Sequence, residues 1–161
     1  MRKKHSRKEI NGFTLLEILL VVAAIAILAG IVIVANTPAK QLGETRDAQR
    51  HSDVEAISSA IAQYALKQGQ LPPTLNGGAT TCDSMASSSS DYGICMQGVQ
   101  SCPGVSLEPS LTPDFIASIP QDPGANQDGF TGYVAGITAS GRVLVCAPLT
   151  EQASQTISVT R

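Results

Sequence analysis

The sequence predicts an α+β protein: a long N-terminal helical spine followed by a small C-terminal antiparallel β-sheet head. Three observations predict it. Residues 13–35 form an apolar run of 23 residues in which only Glu17 is charged. The segment that follows, to Gln68, carries a helical period of apolar residues. Beyond Gly129, two β-rich runs flank Ala139-Ser140-Gly141, which reads as a hairpin.

The apolar run comes first. As a helix it is about 34 Å long, enough to cross a hydrocarbon core of about 30 Å. Before it, Arg2, Lys3, Lys4, Arg7 and Lys8 place five fixed positive charges within seven residues. A basic head before an apolar span predicts a single-pass segment with its N-terminus inside and its C-terminus outside. The first half of the spine is therefore embedded in membrane. Glu17 is the exception. A carboxylate at the centre of such a segment costs about 3 kcal/mol, and less near its ends. Snorkelling toward the interface, helped by the helix dipole, is the simple account of it.

The residues around Glu17 support a more specific account. A glycine at the basic–apolar boundary, then phenylalanine, then glutamate at the fifth position resembles the class III signal of type IV prepilins and type II secretion pseudopilins. The matching stretch is GFTLLEILLVVAAIAILAGIVIVA. The resemblance implies a pilin-like fold and cleavage by a prepilin peptidase after Gly12. It further implies methylation of the new amino terminus at Phe13, with the apolar segment retained. Glu17 would then neutralise the Phe13 amine of a neighbouring subunit during assembly by inner-membrane machinery. The electrostatics agree: a carboxylate one turn from a helix end is a liability in lipid until it meets such a cation. An ordinary secretory signal fits less well, because the apolar core is too long and starts with a glutamate. A lipoprotein signal needs a cysteine after the run, and the first cysteine is Cys82.

Four segments follow: a leader over 1–12, a transmembrane and assembly helix over 13–35, an amphipathic outer half over 36–68, and a head over 69–161. The head divides into a loop over 69–128 and a sheet over 129–161. Removing residues 1–12 leaves six basic against twelve acidic residues, a net charge of −6. That excludes nucleic-acid binding through a basic surface. Three Phe, three Tyr and no Trp predict a thin core. Cys82, Cys95, Cys102 and Cys146 all fall on the outer side of the membrane, where an even number favours two disulfides with the pairing open. Their spacings of 13, 7 and 44 residues match no zinc module.

Within the spine, Gly30 and Pro38 predict weakening, as a bend or a melted stretch. Val54, Ile57, Ile61 and Tyr64 with Ala65 form one apolar stripe. Arg46, Asp47, Arg50, Asp53 and Glu55 are assigned to the other faces, with i,i+3 pairs from Asp47 to Arg50 and from Arg50 to Asp53. His51 reads as a solvated surface residue. Gly69 is a stop. Residues 72–111 show no period, and Thr112-Pro113-Asp114 reads as the start of a short helical turn. The segment Ile119-Pro120-Gln121-Asp122-Pro123, leading to an aromatic strand, is similar to the approach to the sheet in type II secretion pseudopilins and related pilins. Strands are expected over 133–138 and 142–148, with an edge strand over 154–160.

Asp122, Asn126 and Asp128 before Gly129 are candidate calcium ligands, and some pseudopilins, by the same resemblance, bind calcium in this general region. Against this, Gly124 stands where an acidic ligand is needed and no glutamate closes the loop. An Asx-rich turn is the competing reading. No catalytic constellation is visible, so an enzyme is not expected. The function expected is a structural subunit of a type IV pilus or type II secretion pseudopilus. Its partners are copies of itself, the peptidase, the assembly machinery and membrane lipid. The alternative is an anchored extracytoplasmic binding domain that never polymerises.

Overall fold

The computed structural model describes residues 13–35, 38–99, 101–126, 128–152 and 156–161. The chain divides into two compact units, residues 1–39 and residues 40–161.

The first unit contains helix α1 (Leu15–Ala35). Thr14 starts it: its Oγ1 accepts the Glu17 N–H at 3.2 Å, and its carbonyl accepts the N–H groups of Glu17 and Ile18. The Glu17 N–H is an orphan donor of the first turn, satisfied by the threonine before the helix, and the Ile18 bond is the first i→i−4 bond of the helix. Over Leu15–Ile33 the mean hydropathy is 3.0 and nothing is buried by the rest of the chain. By length and composition this helix could cross a membrane. Gly30 does not interrupt α1. The bend expected at Pro38 adjoins residues 36–37, which lie outside the described residues, as does the leader over 1–12.

The second unit is built on helix α2 (Pro38–Gln68). Gly43, Asp47, Arg50, Val54, Ile57, Ser58, Ala60 and Ile61 are its buried positions. They recur at helical spacing, so one face of the helix is covered. The apolar half of that face is the one the sequence predicts. Asp47 and Arg50 correct it, because they lie on the covered face instead of a solvated one. The pair from Arg50 to Asp53 is not made, since Asp53 accepts from the Tyr133 hydroxyl at 2.7 Å. His51 is exposed. Gly69, at φ +73°, donates its N–H to Ala65 and ends the helix.

The expected loop over 69–128 is also corrected. It holds strand β1 (Gly77–Ala79), helices α3 (Cys82–Ser87) and α4 (Ser89–Tyr92), strand β2 (Gly93–Cys95) and helix α5 (Glu108–Leu111). Elements of three to six residues are too short to display a period. Thr112 closes α5 with its N–H on the Glu108 carbonyl. The expected turn follows over 112–115, closed by the Phe115 N–H on the Leu111 carbonyl, but the Thr112 hydroxyl donates back to the Glu108 carbonyl instead of capping it. The extended backbone of Thr112 is what a following proline imposes.

Strands β3 (Phe130–Thr138), β4 (Val143–Ala147) and β5 (Ile157–Thr160) form an antiparallel meander. β1 and β2 share the other edge of β3, β1 parallel and β2 antiparallel, so the sheet is mixed and five-stranded. The β3–β4 turn has Gly141 at φ +78°, the left-handed position that a three-residue hairpin loop requires. Alternate residues face opposite sides of a strand. Tyr133, Ala135, Val143, Val145 and Ile157 meet Val54, Ile57 and Ile61 of α2. Val134, Leu144 and Cys146 meet Cys82, Met85 and Tyr92 on the other side. The sheet is thus covered on both faces, and every residue of β4 is buried.

Candidate assembly terminus and the charge cluster of the head

At the amino end, Phe13 is 78% exposed and Glu17 stands in the first turn of α1. No cation among the described residues lies within ion-pair distance of Glu17. Thr14 and Glu17 have the T-x-x-E spacing of a capping box. One half of that box is made, from the Glu17 N–H to Thr14 Oγ1. The sequence reading missed this second use of the position, although Thr14 three residues before Glu17 was its signal.

The head contains a buried charge cluster that sequence reasoning did not find. Arg50 is 1% exposed. Its Nε donates to Asp122 Oδ2 at 2.7 Å and its Nη2 to Asp122 Oδ1 at 2.9 Å. This is the bidentate fork that guanidinium and carboxylate geometry permit. Its Nη1 donates to Asp47 Oδ1 at 2.7 Å and to Glu151 Oε1 at 3.3 Å. Asp47 also accepts the backbone N–H groups of Glu151 and Gln152, and Arg46 grips Glu151 from outside. One guanidinium therefore ties α2 to the turn before β3 and to the loop between β4 and β5.

Electrostatics follow the geometry. The fork from Asp122 raises the Arg50 pKa further above its ordinary value, overcoming burial, with Asp47 adding to it. Burial pushes the Asp47 carboxyl up, but Arg50 and the two backbone donors together hold it below the usual range. Glu151 is lowered chiefly by Arg46. Burial and the bond to Asp53 push the Tyr133 phenol well above its ordinary value.

The calcium candidates are not brought together as a free ligand set. Both Asp122 oxygens face Arg50, and Oδ1 also accepts the Gly124 N–H at 2.7 Å. Asn126 and Asp128 are exposed. A carboxylate already neutralised by a guanidinium does not suit a divalent cation, so this donor set does not fit calcium. Among the described residues no group of three acidic, histidine or cysteine side chains is placed to hold a metal.

The cysteines form two disulfides, Cys82 with Cys146 and Cys95 with Cys102. The first pins α3 to the outer face of β4. The second closes a short loop after β2.

Residues 7–33 match the family described as the prokaryotic N-terminal methylation motif. The matched span takes in Gly12, Phe13 and Glu17 together with most of α1. No curated protein and no solved structure is significantly similar to the chain.

Proposed function

From the prepilin-type signature of type IV pilins and pseudopilins that this chain carries, we propose that it is the precursor of a filament subunit of a type IV pilus or a type II secretion pseudopilus. The observation that supports the reading is the coincidence of that motif with a 19-residue apolar span that the chain leaves uncovered. Prepilin peptidase cuts after Gly12 and methylates the amine of Phe13. The subunit waits in the inner membrane with its head outside, anchored by α1. Inner-membrane assembly machinery then withdraws it into a filament.

The energetics explain why assembly is favoured. In lipid, Glu17 is a carboxylate in an apolar segment, with no cation within ion-pair distance among the described residues. Between subunits it meets the Phe13 amine, so two separate desolvation costs become one compensated pair. Apolar contacts among α1 helices supply non-directional attraction, and the charge pair supplies axial register. The chain works by assembly and carries out no catalysis.

The test is the N-terminal residue and intact mass of the protein extracted from membranes that contain its own processing enzymes. The expected chain begins at methylated Phe13, and Glu17→Ala inserts and is processed but yields no filaments. A chain still beginning at Met1, or Glu17→Ala filaments in normal amount, sinks the reading.

A further inference from the structure

We propose that successive heads meet head to tail, Arg142 at the β3–β4 turn of one copy entering the groove beside Phe130 of the next. The inference takes its filament setting from the reading above; its residues come from the head alone.

The argument starts from unbalanced charge. In residues 40–161, Lys40, Arg46, Arg50, Lys67 and Arg161 each have a carboxylate within 4.0 Å. Arg142 has none among the described residues; its Nε reaches only Ser140 Oγ, at 3.5 Å. It is exposed at the tip of the hairpin. Asp83, Asp91 and Asp128 are exposed carboxylates with no cation within ion-pair distance among the described residues. Of these, Asp128 lines a groove at the other end of β3.

Asp128 and Asn126 line a groove of about 320 Å³ together with the apolar side chains of Phe130 and Val134. The groove is preformed. One wall, at Ala125 and Asn126, follows Asp122, and another, at Pro148 and Leu149, precedes Glu151. Both anchors are held by Arg50. An arginine is the side chain this shape admits: an apolar stem for the apolar lining and a planar fork for a carboxylate and an amide oxygen. The half-buried Phe130 ring adds a face on which a guanidinium stacks.

The placement decides the kind of contact. β3 is nine residues long, so the hairpin tip and the groove stand roughly 27 Å apart at about 3.3 Å per residue. No copy can satisfy its own groove with its own Arg142. A patch at one end that fits a different patch at the other is heterologous, and heterologous contacts propagate where symmetric ones close into dimers.

Thiol cross-linking tests this in the full chain, expressed with its assembly machinery. All four native cysteines are in disulfides, so Ser140→Cys beside Arg142 and Leu149→Cys on the groove, both exposed, supply the only free thiols and leave Arg142 and Asp128 in place. The double variant, treated with a short bismaleimide, is expected to give a ladder of dimers, trimers and higher species. Each single variant gives none. Arg142→Glu and Asp128→Arg should each cut the sedimenting filament fraction about tenfold, the effect of losing 1.4 kcal/mol per contact. The combined swap should restore it. Filaments without a ladder, dimers from Ser140→Cys alone, or a swap that fails to restore would each overturn the contact while leaving the filament reading in place. A wild-type chain that is processed but never multimeric overturns both.

Discussion

Replacing Arg50 with methionine tests whether the buried cluster holds the head together. The substitution keeps most of the side-chain length and removes the charge. It strands the Asp122 carboxylate, whose side chain is 0% exposed, and leaves Asp47, at 9%, with only its backbone donors. Breaking a buried pair in this way costs about 3–5 kcal/mol. The whole stability of a domain is about 5–15 kcal/mol, so the loss is a large part of it. With a urea slope of about 2 kcal/mol/M, the midpoint should fall by roughly 2 M. The assay is urea unfolding of the full chain in detergent with disulfides intact, read by tyrosine emission. All three tyrosines, Tyr64, Tyr92 and Tyr133, lie in the unit of residues 40–161, and there is no tryptophan. The combined variant Arg50→Met with Asp122→Leu removes the stranded charge and should recover most of the loss. A single variant within about 1 kcal/mol of the parent would refute the reasoning, as would a double variant no more stable than the single.

Two further outcomes follow from the same contacts. The Tyr133 phenol has a folded pKa raised by burial and by Asp53, so the protonated form stabilises the fold; stability is full below the unfolded value of about 10 and falls as pH rises beyond it. Tyr133→Phe should flatten that alkaline loss in pH-dependent thermal melts, and a slope that persists would assign it elsewhere. For the disulfides, loop closure spans 64 residues for Cys82 with Cys146 and 7 for Cys95 with Cys102. The corresponding losses on removing each as a Cys→Ala pair are about 4 and about 2.5 kcal/mol. Equal urea midpoints for the two variants would show that the loop-entropy account fails here.

How much of this was legible depended on the length of each signal. α1 declared itself because a run of 23 residues with Glu17 as its single charge admits few other structures. The stripe at Val54, Ile57 and Ile61 located the packed face of α2, and Gly141 marked the hairpin. β1, β2, α3 and α4 were unreadable because none exceeds six residues, and their order comes from β3 and the disulfides. Arg50 misled for a physical reason: charged residues on an amphipathic helix are usually solvated, and the carboxylate that permits burial lies 72 residues away. Yet a hint was available. Continuing the apolar stripe backward from Val54 by helical steps lands on Arg50, Asp47 and Gly43. Asp122 was read as a candidate calcium ligand; its carboxylate is taken instead by the Arg50 guanidinium.

The position of that cluster also bears on register. The apolar half of α2 is nearly self-similar under a shift of one turn, since Val54, Ile57 and Ile61 would be replaced by Ile57, Ile61 and Tyr64. Such a slip moves the helix about 5.4 Å and loses little apolar contact. It cannot keep the two Arg50 bonds to Asp122 at 2.7 and 2.9 Å, nor the backbone donors of Glu151 and Gln152 on Asp47. Apolar burial therefore supplies most of the adhesion between α2 and the sheet, while the charges select one axial position. The stabilised double variant Arg50→Met with Asp122→Leu is then expected to separate the two properties. It should melt near the parent temperature, yet show multiple or broadened methyl resonances for Ile57 and Ile61 where the parent shows one set. A single sharp set in that variant would mean that side-chain packing alone fixes the register, and that the buried charges contribute stability but no selection.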